Sequence, residues 1–365
     1  MTGRRSPVRA GRNRRRQITV AVLGACGTIG RRVAGLLAEN PAVATVLAVD
    51  DERGDLDGVT WRIVSLRDPA LVRRLENVDV VVHTGLDINI TEDPSGQAQR
   101  NLRAAQTVLT ACAAAAARRV VVLSSAMVYG ARPDNPVPLD DDAPMQAASD
   151  GALVSDLLEL EELYARAQRA HPGTALTVLR PAMLVGEGVD TVMTRHFESP
   201  RLLVIRGTEP LWQFCHVDDL AAAMATAAVR ELDGPLTVAS EGWLDQDTLE
   251  QVTARPRIEL PETFAVSTAQ RLHRLGLTPA TAGDLQFVSY PWVVSSARLR
   301  AQGWRPSFDN STAAQELVSQ ASGHRAVASR RIGRRETAAA FGAAGATVAV
   351  VGSAVAVRRA RRRRQ

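Results

Sequence analysis

The chain has 365 residues, 45% of them apolar and 23% charged, which is the balance of a folded globular protein and excludes a disordered one. Its net charge of +5 comes from the ends: residues 1–17 carry seven Arg and no acid, residues 325–365 carry eleven Arg and one acid, and the remainder is acidic by about 12 charges. An acidic body between basic tails excludes a specific nucleic-acid-binding domain and leaves the tails only unspecific contacts with polyanions or anionic lipid.

In chain order, residues 1–17 read as a basic disordered arm. It has no apolar stretch of the kind a secretory signal needs, so a cytoplasmic location is expected. The segment "QITVAVLGACGTIGRRVAGLLAEN" reads as a buried strand from Ile18 to Leu23, a glycine turn, and an amphipathic helix to about Asn40. "VATVLAVDD" is a second strand ending in acids, and "VTWRIVSLRD" a third. "LVRRLENVDVVVHTG" is a helix and a fourth strand, and "QAQRNLRAAQTVLTACAAAAA" a long helix. "RRVVVLSSAMVYG" is the fifth strand with its exit loop. A helix to about His171 and a sixth strand, "ALTVLRPAMLVG", follow. Strands alternating with helices predict a Rossmann-type α/β fold, a doubly wound parallel sheet over residues 18–186. Beyond Gly186 the pattern loosens, as expected of a smaller C-terminal substrate lobe over residues 187–320 whose later segments return to the first domain.

The tail at residues 325–365 is Arg-rich. Residues 337–357 within it are uncharged and long enough to span a bilayer, yet rich in Ala and Gly. They read either as a membrane-associated helix or as a floppy or self-associating segment. The cysteines, Cys26, Cys112 and Cys215, are odd in number and far apart, and no His pair sits at i, i+4. Neither a disulfide framework nor a metal site is therefore expected. Every basic residue is Arg, so any mechanism that requires a lysine is excluded.

Gly24-Ala-Cys26-Gly27-Thr28-Ile29-Gly30 is a GxxGxxG turn between a strand and a helix. A pyrophosphate needs such a tight turn, a close backbone, and free N–H groups at a helix N-terminus. The acids Asp50 and Asp51 end the next strand, where a carboxylate accepts ribose hydroxyls and repels a 2′-phosphate, so NAD is expected over NADP. Asp68 lies where an acid could take the adenine amino group, and equally where it would cap the turn before Pro69. His83 ends the fourth strand beside this cofactor site, a candidate contact whose expected role is structural. His216 begins "HVDD", where Asp218 or Asp219 is expected to cap a helix. Arg180 and Arg206 read as surface ion pairs or as contacts for a substrate pyrophosphate.

The ordered set GxxGxxG, Asp50, Asp68, "VVHTG", "NLRAAQTVLTAC", "VVVLSSAMVYG", "LTVLRPAMLVGEG" and "FCHVDDLAAAM" resembles the extended short-chain dehydrogenase/reductase family. Within it the chain is similar to the NAD-dependent epimerase/dehydratase group and its divergent actinobacterial, nucleotide-sugar-epimerase-like members. The resemblance implies NAD as cofactor, held by Gly24, Gly27, Gly30 and Asp50. It implies Ser125 as the residue that orients a substrate hydroxyl, and a homodimer packed through helices. It also implies a Tyr-x-x-x-Lys pair, which falls on Leu153 and Leu157. In that pair the tyrosinate takes a proton as hydride leaves, and the lysine lowers the phenol pKa. Neither leucine does either.

Of the tyrosines, Tyr164 lies about 16 Å further along the helix from Leu153, and Tyr129 belongs to a packing position. Asp156, beside Ser155, could act as a base if burial raised its pKa, or could simply favour the helix N-terminus. Two readings stay open: an NAD-binding protein without the pair, or a divergent enzyme on a nucleotide sugar or related alcohol that uses Ser125 and Asp156.

Overall fold

The computed structural model describes residues 16–149, 152–230, 232–321, 326–327 and 330–331. The basic arm up to residue 15 and the apolar tail segment 337–357 lie outside the described residues.

The first half runs β1 (Ile18–Leu23), α1 (Thr28–Ala38), β2 (Val43–Asp50), β3 (Thr60–Ile63), α2 (Leu71–Arg74), β4 (Val80–His83), α3 (Pro94–Ala114), β5 (Arg119–Leu123), α4 (Ala152–Ala170) and β6 (Ala175–Pro181). The second runs β7 (Met183–Val185), α5 (Val192–His196), β8 (Leu202–Ile205), β9 (Leu211–Trp212), β10 (Phe214–His216), α6 (Val217–Val229), β11 (Gly234–Val238), β12 (Leu244–Asp245), α7 (Gln246–Thr253), β13 (Arg257–Leu260), α8 (Glu262–Arg274), α9 (Ala297–Ala301) and α10 (Asn310–Ala321).

Among the described residues, seven strands form one sheet in the order β11-β6-β5-β4-β1-β2-β3, every pair parallel. This is the doubly wound sheet that the alternating pattern predicts. Val20, Val22 and Leu23 of β1 and Val81 and Val82 of β4 are wholly buried, because helices cover both faces of a parallel sheet. On one face α1 and α6 pack together, with Val33, Leu37, Leu220 and Met224 in the core; on the other, α3 and α4 contribute Val108, Cys112, Leu160 and Tyr164. The sheet order reverses beside β1, and in such sheets ligands bind at that crevice.

Two expected elements are shorter than the sequence suggests. The third strand stops at Ile63, because Val64 and the residues to Asp68 turn instead: the Asp68 N–H donates to the Ser65 carbonyl at 3.0 Å. The helix after it is a single turn, and Asn77 at φ +63° reverses the chain into β4.

Past β6 the chain leaves the sheet and pairs β10 with β7, β13 with β8, and β12 with β9. Only β11 of this half rejoins the main sheet, at the edge beside β6. Asp141 braces that return: its carboxylate accepts from the Thr237 N–H at 2.5 Å and the Thr237 hydroxyl at 2.7 Å.

Candidate functional site

A cleft of about 650 Å³ opens at the C-terminal ends of β1 and β2, lined by Gly24, Cys26, Gly27, Thr28, Ile29 and Asp50, among others. Gly24 has φ +84°, and a Cβ there would stand 2.8 Å from the Gly85 nitrogen, so only glycine fits both the turn and the close approach of β4. A Cβ on Gly30 would overlap the Gly24 carbonyl oxygen, so the turn lies directly on the first turn of α1. That helix starts at Gly27 with no side chain capping it and no acid in its first turn. Its end is thus left to an incoming anion.

Asp50 is held at the rim. One carboxylate oxygen accepts from the Cys26 N–H at 2.8 Å and the other from the Asp51 N–H at 2.9 Å. A dinucleotide fits these residues: a backbone cradle that a side chain would fill, an uncapped helix end, and a carboxylate fixed beside the turn. Cys26 lines the cleft, yet burial and then Asp50 and Glu52 push its thiol up to about 11, so it is not a nucleophile there.

Two candidate cofactor contacts take the alternative, structural roles that the sequence also left open to them. Asp68 is exposed and not among the lining residues; its carboxylate accepts from the Ala70 N–H at 2.8 Å, capping the turn into α2. His83 is buried in the sheet, where burial lowers its pKa to about 4 and keeps it neutral, with Nδ1 accepting from the Gly85 N–H at 3.4 Å. Strand position predicted their neighbourhood and not the direction of their side chains.

A second pocket, about 120 Å³, opens beside the first, and the two share Ile88, Asn89, Gln97 and Leu184. It brings Ser125, Leu153, Asp156 and Leu157 into one lining, where the end of β5 and helix α4 meet. Ser125 caps the 3-10 turn Ala126–Tyr129 through its oxygen, which accepts from the Met127 N–H at 3.2 Å. Burial, with Glu159 adding to it, raises the Asp156 pKa. Ser155 instead donates to the Ser149 carbonyl at 2.9 Å.

No tyrosine is among the described residues lining this pocket. The Tyr129 hydroxyl donates to the Asp141 carbonyl at 2.9 Å and accepts from Arg180 at 3.0 Å, and burial raises its pKa to about 12. The Tyr164 hydroxyl donates to the Leu123 carbonyl at 3.2 Å from the opposite core, where burial pushes its pKa up. Arg180 is not at the surface: it makes a bidentate pair with Glu161 at 2.7 and 2.8 Å, and both side chains are buried. Burial opposes its charge, but the Glu161 carboxylate more than offsets this and raises its pKa. Arg206 is exposed.

At "HVDD" the cap of α6 is His216 itself, whose Nδ1 accepts from the Asp218 N–H at 3.3 Å. Asp219 instead anchors the C-terminal segment, accepting from the Ser307 and Phe308 N–H groups at 2.7 and 3.1 Å. Asp218 and Glu187 both pair with Arg32 of α1, tying that helix to the start of α6 and to the Gly186–Gly188 loop.

The sequence reading missed several contributors. Asn89 bridges two loops, its amide donating to the Gly188 carbonyl at 3.0 Å and its oxygen accepting from the Asp190 N–H at 2.8 Å. Ser124, Met193 and Trp292 also line the second pocket. The doubled serine just past β5 was the one available signal, since both serines line the pocket. Among the described residues, no group of His, Cys, Asp and Glu could hold a metal ion, and no helix is long and apolar enough to cross a membrane.

Comparison with known proteins gives a consistent result. The model of the NAD dependent epimerase/dehydratase family matches residues 20–236. A 3-diazoavenalumate denitrifying reductase of a Streptomyces species is 32% identical over 298 residues, covering 75% of this chain and 95% of that protein. An uncharacterized protein of Mycobacterium tuberculosis is 28% identical over 304 residues, covering 79% of this chain and 80% of the other. Among solved structures, the UDP-glucose 4-epimerase of Thermus thermophilus in complex with NAD superposes with TM-score 0.60 at 19% identity, over 84% of this chain and 99% of that one.

Proposed function

From a chain that belongs to the NAD dependent epimerase/dehydratase family, we propose a protein that binds NAD in the cleft between the glycine turn and Asp50 but lacks the family's Tyr-x-x-x-Lys pair. NAD, when bound, supplies a hydride acceptor or, reduced, a donor. This chain's residues bind and orient it: the Gly24–Gly30 turn with Cys26, Thr28 and Ile29 takes the pyrophosphate, and Asp50 takes the ribose hydroxyls. The observation that carries the reading is the lining of the second pocket. Leu153 and Leu157 share it with Ser125, and the chain contains no lysine to take the place of Leu157. Without a general acid/base of that kind, binding and sensing of the dinucleotide is the better-supported activity. A calorimetric titration of the full chain with NADH and NADPH tests it, with NADH expected to bind more tightly. The absence of binding by either would overturn it.

A specific observation favours a second reading. Asp156 shares the pocket with Ser125, and its pKa is raised by burial, as a general acid/base requires. In this reading the protein is a divergent oxidoreductase or epimerase on a nucleotide sugar or related alcohol. Ser125 holds the hydroxyl and Asp156 moves its proton. Any turnover would then fall at least about 100-fold in Asp156→Asn, while NADH affinity would hold.

The lobe formed by residues 187–320 is proposed to carry the ligand side. Homodimerisation through α3 and α4 is supported by an open groove between them lined by Ala113, Ala114, Ala167 and Ala170. A cytoplasmic location and a membrane contact through residues 337–357 are further proposals. Fractionation of the full chain against one ending at residue 325 tests the latter.

A further inference from the structure

The second pocket has its own chemistry. At about 120 Å³ it is close to the size of an apolar cavity of roughly 150 Å³ that takes up benzene. Drug-sized ligands occupy sites of roughly 300–1,000 Å³. Its walls are mainly apolar: Leu123, Met127, Leu157, Met193 and Trp292 line it beside a few polar residues. Even the Trp292 ring N–H is taken, donating to the Phe287 carbonyl at 3.1 Å.

Charge works against a phosphate. The ionisable side chains among the described residues lining the pocket are two acids, Asp156 and Asp284. The basic groups nearest in sequence to its walls are engaged elsewhere, Arg180 with Glu161 and Arg195 with Asp190 at 2.7 Å. A diphosphate inside this pocket would thus face carboxylates in a low-dielectric site whose described lining holds no Arg.

One polar atom does wait there. The Ser124 hydroxyl is buried, 3% exposed, and finds no hydrogen-bond partner among the described residues, while its N–H donates to the Leu179 carbonyl at 2.8 Å. Buried polar groups are almost always paired, so an orphaned hydroxyl in a pocket wall marks the place of a ligand atom.

We propose that this pocket takes a compact, uncharged, single-ring ligand with one oxygen bonded by Ser124, and not a nucleotide sugar. This rests on the reading of the adjoining cleft as the NAD site. The ligand has one direction in which to grow. Val192, Met193 and Asp284 also line a mainly apolar cavity of about 350 Å³ between α5 and α8, whose lining includes Arg195 and Arg201, so Met193 is part of the partition between two chambers.

The test is calorimetry on the full chain, first with NADH and then, on the NADH-saturated protein, with cyclohexanone, 4-butylcyclohexanone and UDP-glucose. Cyclohexanone is expected to bind and UDP-glucose to give no heat. Ser124→Ala is expected to weaken cyclohexanone roughly three- to tenfold, the loss of one hydrogen bond; uptake of NADH by this variant reports that it is folded. Met193→Ala is expected to shift preference towards the butyl ketone. UDP-glucose binding more tightly than cyclohexanone, no cyclohexanone binding, or cyclohexanone binding indifferent to Ser124→Ala would each overturn the proposal. Failure of NADH to bind overturns the cofactor reading instead, and the ketone titrations are then read on the free chain.

Discussion

The cofactor cleft and the ligand pocket meet along four shared residues, but they are built from different materials. The cleft is made mainly by backbone: a glycine turn, a helix end, and one carboxylate fixed by two N–H groups. The pocket is made by side chains from distant segments, Leu153 and Leu157 among them. Backbone geometry that serves a common cofactor tolerates few residue types, whereas an apolar side-chain pocket can be rebuilt residue by residue. The dinucleotide half is therefore the part whose residue types the backbone dictates, and the pocket the part it leaves free.

Four perturbations sharpen or break this contrast. The largest effect is expected beneath the pocket, at the buried Arg180–Glu161 pair. Glu161→Ala leaves a buried guanidinium uncompensated and should cost about 3–5 kcal/mol in urea unfolding. Arg180→Met combined with Glu161→Leu should recover most of that loss; if it does not, the pair does more than neutralise itself.

On the cleft side, Gly30→Ala drives a methyl group into the Gly24 carbonyl. It should cost about 1–3 kcal/mol in stability and weaken NADH more than about tenfold. Unchanged NADH affinity would break the claim that backbone approach defines the cleft.

His83 gives the next effect. Its folded pKa, about 4, lies below the ordinary 6.5 because burial disfavours the cation. The unfolded chain therefore binds the proton more readily. The contribution of the neutral side chain to stability is complete above about pH 6.5, is lost as pH falls towards 4, and is level below that. Unfolding at pH 7 and 4.5 should differ by roughly 1–3 kcal/mol from this residue, and His83→Asn should flatten that dependence.

The smallest effect is at Asp50. Asp50→Asn should weaken NADH by about 1–2 kcal/mol and narrow the gap to NADPH, measured by paired titrations. A variant that discriminates as well as the native chain would move the ribose contact elsewhere.

The sequence was legible where conformation dictates residue type. Gly24 and Gly30 have no substitutes, and Asp50 follows from a strand of known length, so both could be placed before any coordinates. For Asp68 the sequence left a turn cap and an adenine contact open, and for His83 it favoured a structural role, because a strand-end position does not say which groups a side chain will find. The pocket was the least legible part. Met193, Pro279 and Trp292 reach it from segments far apart in the chain, and nothing local marks them as neighbours. Ser124 was hidden by Ser125, since the family pattern drew attention to the second serine alone.

The return of β11 to the main sheet bears on how the molecule can be divided and how it comes to be made. Synthesis delivers β6 well before its outer partner, and until β11 arrives β6 presents an open edge of unpaired backbone groups, a template for aggregation. A fragment ending at Gly186 would keep that edge permanently, so the nucleotide half is not a portable module. Residues 182–233 are in effect an insertion between two neighbouring strands, and pairing of β11 is what covers the β6 edge.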